Sequence, residues 1–409
     1  MEILPIIYFT YMFISFYLLV LFLLIYFRNK NVLFNSPKKT KNYTLSVMVP
    51  AYNEEKTIKE TIEHIFDTNY EGLIEVVAVN DGSSDNTLGV LKSMISKYKG
   101  RLKILNKKNS GKADSLNKAL KMVRGELVAV IDADSYPDKD AFGKLIGSFD
   151  DIKVGVATAT CTPRNRNKFI EKMQVIEYKV IAFSRKLLEY IDSIYVAPGS
   201  LSIYRTKALI SSGGFDIKNI TEDVEATWKL IYHGWNIRMS LNSRVTTNVP
   251  NRFKPWLKQR RRWALGGLQT LSKYKKCFLR KGMLGKFIVP FFAIGFILGI
   301  LGLGIFVYLW GKRILRNYFL TKYSIELGVP VLTANELFIT PSVLNYFGVL
   351  LFILSLFFNF FVLGIMKDNL FEKQTFFNML FYMTIYLMVY PITTILALDH
   401  YIRGKMEWR

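Results

Sequence analysis

Acidic residues follow two of the strands that the sequence predicts. Asp81 comes after the second predicted strand, and Asp132 and Asp134 come after the fourth. Two carboxylates one residue apart at a strand end can bind one divalent cation together with a ribose or base edge. Mg²⁺ and Mn²⁺ prefer oxygen ligands from carboxylate and phosphate, and such a cation would neutralise a diphosphate leaving group as its bond to a transferred unit breaks. The pair therefore predicts a site for Mg²⁺ or Mn²⁺.

The sequence lacks the residues needed for a zinc site, a disulfide scaffold or a glycine-rich phosphate-binding loop. His64, His233 and His400 are the only histidines, and they do not fit the spacing of a His-based zinc site. Two cysteines are too few for a disulfide scaffold or a thiolate metal cluster, and Cys161 is expected to be a buried packing residue. No G-x-G-x-x-G follows the first strand and no P-loop occurs, which excludes both of these phosphate-binding loops.

A further acidic pair begins a predicted helix. Thr221 is a favourable N-cap, and Glu222 and Asp223 follow in the first turn, where the positive end of the helix dipole favours ionised carboxylates. An ionised carboxylate is what a general base needs. Plain helix capping is the alternative interpretation of these residues.

Apolar stretches alternate with helical patterns between residues 45 and 131. Strands are predicted at 45–49, 75–79, 101–105 and 127–131, with helices at 57–67, 86–98 and 113–123. Continuous apolar strands separated by helices indicate a parallel sheet covered on both faces. Ligands of such sheets bind beyond the carboxyl ends of the strands, which is where the acidic residues lie. The predicted fold class is therefore α/β, with a Rossmann-type, mostly parallel sheet.

Four long apolar runs predict that the chain is embedded in a membrane. They cover residues 3–27, 287–310, 343–366 and 376–398, each near the roughly 20 residues that a helix needs to cross a bilayer. The chain of 409 residues is 51% hydrophobic, yet 55 Lys and Arg against 32 Asp and Glu give it a net charge of +23. A partner both apolar and anionic fits this composition, which favours a membrane over nucleic acid.

Basic residues flank the first two runs, so the positive-inside rule places the middle of the chain in the cytosol and the N-terminus outside. The rule then predicts residues 367–374 inside and 399–409 outside. It also predicts an outer loop with Lys312, Arg313 and Arg316, whose charge fits that side poorly. The expected domains are a membrane helix (1–30), a cytosolic domain (38–252), interface helices (253–285) and a region of three membrane helices (286–409).

Five motifs occur in an order that resembles the processive family 2 glycosyltransferases. They are Pro-Ala-Tyr-Asn-Glu (50–54), Asn-Asp-Gly-Ser (80–83), Asp-Ala-Asp (132–134), Thr-Glu-Asp (221–223) and Gln-Arg-Arg-Arg-Trp (259–263). That family includes cellulose, chitin and hyaluronan synthases and bacterial poly-N-acetylglucosamine synthases, and the resemblance implies a GT-A-like fold. Asn80 departs from the pattern, since many members have a second Asp there, but Asp81 remains.

The resemblance implies roles for the motif residues. The residues expected to hold the uridine are Ala51, Tyr52, Glu54 and Asp81. Lys112 and Asp132 would approach the nucleotide, and Asp134 would bind the metal. Asp223 would be the general base, with Glu222 on the acceptor and diphosphate side. Glycine-rich turns at 196–200 and 213–215 match acceptor-side loops of the family.

The last motif lies on a predicted amphipathic helix over residues 255–274. Its apolar face, expected to lie in the membrane interface, consists of Leu257, Ala264, Leu265, Leu268 and Leu271. Gln259, Arg262 and Trp263 fall on the opposite face, towards the cytosolic domain. Arg262 would offer a planar fork to the diphosphate, and Trp263 a plate on which the acceptor sugar stacks. A generic basic interfacial helix is the alternative.

These features predict a membrane-embedded, inverting glycosyltransferase that polymerises a UDP-sugar, in first place UDP-N-acetylglucosamine, with Mg²⁺ or Mn²⁺. Its partners would be the donor, the growing polysaccharide, the bilayer and unidentified accessory export subunits, but no nucleic acid. The trailing helices would form a path for the polymer. A polyprenyl-phosphate glycosyltransferase is the alternative enzyme, and a basic membrane receptor or nucleic-acid binder with a degenerate enzyme fold is the alternative class.

Overall fold

The computed structural model describes residues 3–328, 343–366 and 373–405, and at its centre is an eight-stranded sheet. In chain order the strands are β1 (Leu45–Ala51), β2 (Leu73–Asp81), β3 (Leu102–Lys107), β4 (Leu127–Val130), β5 (Ser135–Pro137), β6 (Val154–Pro163), β7 (Ser202–Arg205) and β8 (Asn236–Thr247). Across the sheet their order is β3-β2-β1-β4-β7-β6-β8-β5. Four of the seven pairings are parallel, and β7 and β5 supply the antiparallel ones.

Helices cover both faces of the sheet and extend from it. Those of the sheet domain are α2 (Ile58–Phe66), α3 (Thr87–Met94), α4 (Lys112–Leu120), α5 (Gly143–Ile146), α6 (Phe169–Glu189), α7 (Thr206–Ser211) and α8 (Glu222–Tyr232). The others are α1 (Ile3–Asn29), α9 (Phe253–Tyr274), α10 (Val289–Leu327), α11 (Val343–Ile365), α12 (Lys373–Phe381) and α13 (Val389–Ile402). A π-helical segment, Leu284–Ile288, precedes α10, and another, Tyr382–Tyr386, lies between α12 and α13.

The sheet core follows from strands that are apolar on both sides. Every residue of β1 is buried. Val47 shares a core with Ile62 of α2 on one face, while Met48 shares the opposite core with Leu116 of α4. Burial on both faces is typical of strands in a helix-covered parallel sheet. The predicted α/β, GT-A-like fold with a mostly parallel sheet is confirmed.

Strand ends differ from the prediction in one way that concerns the site. The second strand continues to Asp81, because Asn80 and Asp81 still pair with Asn106 and Lys107 of β3. The side chain of Asn80 also donates a hydrogen bond to Asn106 (2.7 Å). Asp81 is therefore the last residue of a strand rather than the first residue of a loop.

Among the described residues, four helical segments are long and apolar enough to cross a membrane: Pro5–Val32, Leu284–Leu327, Tyr346–Ile365 and Phe376–Ile402. Lys312, Arg313 and Arg316, predicted to lie in an outer loop, are helical instead, since α10 continues through them to Leu327 and is followed by Gly328, whose positive φ suits a helix C-terminus. The side of the membrane on which they lie stays a prediction. Of the segments predicted to lie inside and outside, residues 367–372 and 406–409 lie outside the described residues.

Candidate active site

Asp81 fixes the loop that leads into α4. Its buried carboxylate accepts hydrogen bonds from the backbone N–H groups of Ser110 (3.0 Å) and Gly111 (2.9 Å), and from the ammonium group of Lys107. Both carboxylate oxygens are thus engaged within the protein. The predicted contact of Asp81 with uridine stays a prediction, and the visible effect of Asp81 is to position the start of α4, where Lys112 lies.

The other residues predicted to hold the uridine line the edge of β1. Ala51 is buried, whereas the ring of Tyr52 is 43% exposed and offers a flat apolar surface. The carboxylate of Glu54 accepts a hydrogen bond from the Thr57 hydroxyl (2.6 Å). Burial raises the pKa of Glu54, and the nearby Asp132 adds to this effect. An exposed ring and a carboxylate at one sheet edge are compatible with nucleoside binding.

Lys112 joins the two acidic motifs of the site. Its ammonium group lies 2.6 Å from Asp132 at the end of β4 and 2.8 Å from Glu222 at the start of α8. Burial opposes its charge, but the carboxylates of Asp132 and Glu222 raise the pKa of Lys112 above its ordinary value. Residues from three separate parts of the sequence therefore meet at one cation.

Gly199 allows this cluster to form. A Cβ atom at this position would lie 2.6 Å from the Lys112 ammonium group and 3.0 Å from the Asp132 carboxylate. The carbonyl oxygen of Gly199 also accepts a hydrogen bond from the Asp132 N–H (2.9 Å). A larger residue at this position would push the Lys112 and Asp132 side chains out of their present contact, so the glycine preserves the geometry of the cluster.

Asp134 is the carboxylate best suited to hold a cation. It accepts a hydrogen bond from the Thr247 hydroxyl (3.3 Å), and it forms no ion pair within the part of the chain that the structure describes. Burial raises the pKa of Asp134 to about 7, and Asp132 and Glu54 add to the shift. A carboxylate in this environment, beside another carboxylate, is a fitting ligand for a divalent cation.

The protein does not supply a complete metal cage here. Within residues 3–328, 343–366 and 373–405 no group of three or more His, Cys, Asp or Glu side chains is placed to hold a metal ion. Mg²⁺ characteristically binds one or two carboxylates and completes its coordination with substrate phosphates and water. Asp134 and Asp132 therefore fit a metal that arrives with, or is completed by, a nucleotide diphosphate.

Asp223 lies in the first turn of α8, as predicted, and its pKa is raised to about 6 because it is buried and lies beside Glu222. Its carboxylate accepts a hydrogen bond from the Val224 N–H (2.9 Å). The predicted side-chain cap is wrong, because the Thr221 hydroxyl donates to Asn219 (3.2 Å) instead of capping the helix. A carboxylate with a pKa of about 6 is mostly ionised near neutral pH and more basic than an ordinary aspartate, which suits it to accept a proton.

The predicted face of α9 that carries Gln259, Arg262 and Trp263 is only partly exposed. Trp263 lies 6.5 Å from the ring of Tyr178 on α6, measured between ring centroids. The Arg260 guanidinium lies over the Trp263 ring at 4.0 Å and donates a hydrogen bond to the Gln259 side chain (2.6 Å). The Gln259 side chain therefore serves as a hydrogen-bond acceptor for Arg260 in this structure. The Trp263 ring contacts both the Arg260 guanidinium and the Tyr178 ring.

The predicted contact of α9 with lipid is wrong for part of its apolar face. Leu265 packs with Ile220 and with Ala397 of α13, and Ala264 and Leu268 pack against the same cluster. The helix is thus covered by the last membrane-type helix on the side that was expected to face the bilayer.

A buried ion pair connects α9 with the rest of the molecule. Arg260 donates to both carboxylate oxygens of Glu177 on α6, at 2.9 and 2.5 Å, and also to the Tyr390 hydroxyl at 3.1 Å. The Tyr386 hydroxyl donates to Glu177 (2.5 Å) and accepts from Trp256 Nε1 (2.7 Å). Sequence reasoning missed this pair, since Arg260 reads as one more basic residue and Glu177 lies inside a helix without a motif.

Comparison with protein families gives a match over the sheet domain. Residues 46–213 match the family model described as glycosyl transferase family 2. The poly-beta-1,6-N-acetyl-D-glucosamine synthase of Staphylococcus aureus (strain COL) is 30% identical over 231 residues, which is 56% of this chain and 56% of that protein. The enzyme of the same name from Staphylococcus epidermidis (strain RP62A) gives the same figures. The match therefore spans about half the length of these curated relatives.

The fold is also similar to a solved structure. A mannosyltransferase from Pyrobaculum calidifontis, in complex with GDP-Man and Mn²⁺, aligns with a TM-score of 0.53 at 23% sequence identity. The alignment covers 71% of this chain and 85% of the mannosyltransferase. At this identity the likeness concerns the fold.

Proposed function

We propose that the protein is a membrane-embedded polysaccharide synthase, because residues 46–213 match the glycosyl transferase family 2 model. It transfers N-acetylglucosamine from UDP-N-acetylglucosamine to a growing polymer with inversion at the anomeric carbon. The curated relatives are named as synthases of a poly-N-acetylglucosamine, which supports the choice of sugar. Four helices of sufficient length and apolarity support the membrane location.

One observation carries the proposal more than any other. The ammonium group of Lys112 holds Asp132 and Glu222 within 2.8 Å of itself. Asp132 is two residues from Asp134, the proposed metal ligand, and Glu222 precedes Asp223, the proposed base. The donor half and the acceptor half of a transferase site thus adjoin, as a direct transfer between two bound substrates requires.

The proposed reaction is a single displacement. Asp223 takes the proton of the acceptor hydroxyl while the hydroxyl oxygen forms a bond to the anomeric carbon of the donor. The bond from that carbon to the diphosphate oxygen breaks, and its electron pair leaves with UDP. Attack from the opposite face inverts the carbon, so that an α-linked donor gives a β-linked product.

The remaining motif residues bind and orient the substrates in this proposal. When present, a divalent cation at Asp134 and Asp132 would supply charge neutralisation for the departing UDP. Arg262 would pair with the diphosphate through its planar guanidinium, and Trp263 would stack on the acceptor sugar. Tyr52 and Glu54 lie at the sheet edge, where the uridine would bind.

The proposed orientation places the sheet domain in the cytosol and the polymer path between the membrane helices. The basic residues that flank the first two apolar segments support this orientation through the positive-inside rule. Export subunits would then contact the protein from the membrane or from the far side.

A panel of radiolabelled sugar nucleotides tests the proposal. Membranes that contain the protein are incubated with UDP-N-acetylglucosamine, UDP-glucose, UDP-glucuronate or GDP-mannose, with Mg²⁺ or Mn²⁺, and products are subjected to linkage analysis. We expect a water-soluble or insoluble β-linked polymer from UDP-N-acetylglucosamine. A chloroform-soluble lipid with a single sugar would contradict the proposal and indicate a polyprenyl-phosphate glycosyltransferase instead.

A further inference from the structure

Arg185 on α6 is a buried arginine without a counter-ion. Its side chain is 7% exposed, and its Nε atom is sealed from solvent without a hydrogen-bond partner. Across the described ranges of the chain, Arg185 takes part in no ion pair or hydrogen bond. The next residue, Lys186, is equally buried but bonds to Glu189 (2.8 Å) and to the Met239 carbonyl oxygen (2.8 Å). Two adjacent buried cations thus differ in that only one is satisfied by the protein.

One of the groups that interact with the Arg185 guanidinium belongs to the proposed acceptor side. Burial lowers the pKa of Arg185, and the side chains that oppose this shift are Tyr195, Cys161, Asp223 and Tyr178. Asp223 is the proposed base. An unpaired cation held out of water is costly unless another partner satisfies it, so this position suggests a ligand that supplies oxygen atoms.

A second buried polar atom beside Arg185 also lacks a partner. The hydroxyl oxygen of Ser200, a residue that is 6% exposed, has no hydrogen-bond partner in the structure. The Cys161 thiol is close enough to interact with both groups, and a thiol is only a weak hydrogen-bond partner for the Ser200 hydroxyl. Ser200 follows Gly199, which packs directly on Lys112 and Asp132. Two unsatisfied polar groups therefore border the same region, next to the acidic cluster.

Aromatic rings flank this region on two sides. Tyr178 and Arg185 are seven residues apart on α6 and so point from the same face of the helix. Tyr178 contacts Trp263, and Tyr195 contacts Phe292 at the start of α10, with 4.9 Å between ring centroids. Tyr178 and Tyr195, which both interact with Arg185, thus connect its surroundings to the proposed stacking ring and to the start of α10.

We propose that Arg185 binds the acceptor saccharide, with its guanidinium donating hydrogen bonds to sugar oxygen atoms between the Trp263 ring and Tyr195. This inference rests on the proposed function, in which an acceptor sugar occupies that side of Asp223. Hydroxyl, ring and N-acetyl carbonyl oxygens all accept such bonds. Arg185 is then a specificity-determining residue for the acceptor and has no part in binding the donor.

Arg185→Met tests the inference, with Lys186→Met as the matched control. Binding of a β-linked N-acetylglucosamine tetrasaccharide to UDP-saturated protein in detergent is measured by calorimetry, together with UDP affinity and Tm. We expect Arg185→Met to weaken tetrasaccharide binding by about tenfold to a hundredfold, the range for loss of a charged hydrogen bond. UDP affinity should stay within about twofold, and Tm should not fall, since an unpaired buried charge has been replaced by an apolar group.

Lys186→Met should behave in the opposite way. Loss of a satisfied buried cation leaves Glu189 unpaired, so Tm should fall while tetrasaccharide affinity is kept. Arg185→Lys should bind the tetrasaccharide better than Arg185→Met. Unchanged tetrasaccharide affinity in Arg185→Met, or a lower Tm with no selective loss of the tetrasaccharide, would overturn the inference.

The two proposals fail in different experiments. If the wild-type protein makes no polymer with any sugar nucleotide, the proposed function is wrong. The role of Arg185 is judged separately by oligosaccharide binding, which needs no turnover. A wild-type protein that polymerises the sugar, together with an Arg185→Met variant of equal tetrasaccharide affinity, would overturn the inference and leave the function in place.

Discussion

The ammonium group of Lys112 lies between Asp132 and Glu222 and determines how the acidic residues of this site divide their roles. Asp132 and Glu222 share this single positive charge. Asp134 and Asp223 are not paired with a cation by direct contact within the described residues, and the pKa of each is raised. Two carboxylates thus remain available, one for a metal and one for a proton.

Asp223→Asn should abolish sugar transfer while UDP binding is retained. The amide has nearly the same shape and keeps the first turn of α8, but it cannot accept the acceptor's proton. The measurement is polymer formation from labelled UDP-N-acetylglucosamine beside UDP affinity. Asp192→Asn is the control, because that exposed carboxylate pairs with Arg238 near the surface (2.8 Å). Full transfer activity of Asp223→Asn would remove Asp223 from the role of base.

The rate of transfer should fall as the pH drops through the pKa of Asp223. Burial and the neighbouring Glu222 raise that pKa to about 6, so the base is protonated at a higher pH than an ordinary aspartate would be. Below about pH 6 the rate at saturating donor and metal should decrease about tenfold per pH unit, and above it the rate should level off. A flat profile across this range, with UDP affinity constant, would contradict the assignment.

The residues that sequence reasoning could find are those that stand next to strand ends or helix starts. Asp132, Asp134 and Asp223 belong to this group, and the structure places them around Lys112. Arg185 and Glu177 could not be found in this way. Both lie in the middle of α6, and what distinguishes them is a partner, or the lack of one, from distant parts of the chain.

At the scale of elements, the buried pair of Arg260 with Glu177 joins α9 to α6. The pair is sealed, with exposed fractions of 0% and 2% for the two side chains, and Tyr386 and Tyr390 complete its hydrogen bonds. Since Arg260 also lies over Trp263, the same contacts that join α6, α9 and the last membrane-type segment hold the proposed sugar-stacking ring in place.

Glu177→Gln should therefore lower stability strongly and loosen Trp263. Removal of one charge of a buried pair typically costs about 3–5 kcal/mol, so a clear fall in Tm is expected in detergent, with weaker acceptor use and intact UDP binding. Glu63→Gln serves as a control, because Glu63 pairs with Lys97 at the surface and such pairs contribute only about 0–1 kcal/mol. Equal Tm values for the two variants would show that the buried pair does not fasten α9.

The elements themselves were predictable in part. The first four strands and the helices between them follow from apolar stretches and helical spacing, and the structure has all of them with shifts of a few residues at their ends. β5 and β7 have three and four residues, too few for a periodic signal. The amphipathic pattern of α9 indicates a buried face, but it does not distinguish lipid from α13 as the cover.

At the scale of the whole molecule, most of the net charge of +23 lies outside the four apolar helical segments. Membrane attachment should therefore depend on the apolar helices and not on charge. Membranes washed with alkaline carbonate or with about 1 M salt should retain the protein, and detergent should release it. At about 1 M salt the Debye length is only about 3 Å, so attraction between surface charges is largely screened. Release by salt alone would contradict a membrane-embedded protein.

The length of the segment Leu284–Leu327 has a geometric consequence. Its 44 residues give a helix about 66 Å long at 1.5 Å per residue, roughly twice the hydrocarbon thickness of about 30 Å. Its first residues pack beside Trp228 and Tyr274 near the sheet domain, so its excess length extends away from that domain. The second half, with Lys312, Arg313 and Arg316, would extend out of the bilayer as a continuous helix. In the proposed function, a subunit that receives the polymer on that side would meet a helix end about 30 Å above the membrane surface. The base of that helix packs against the sheet domain and α9.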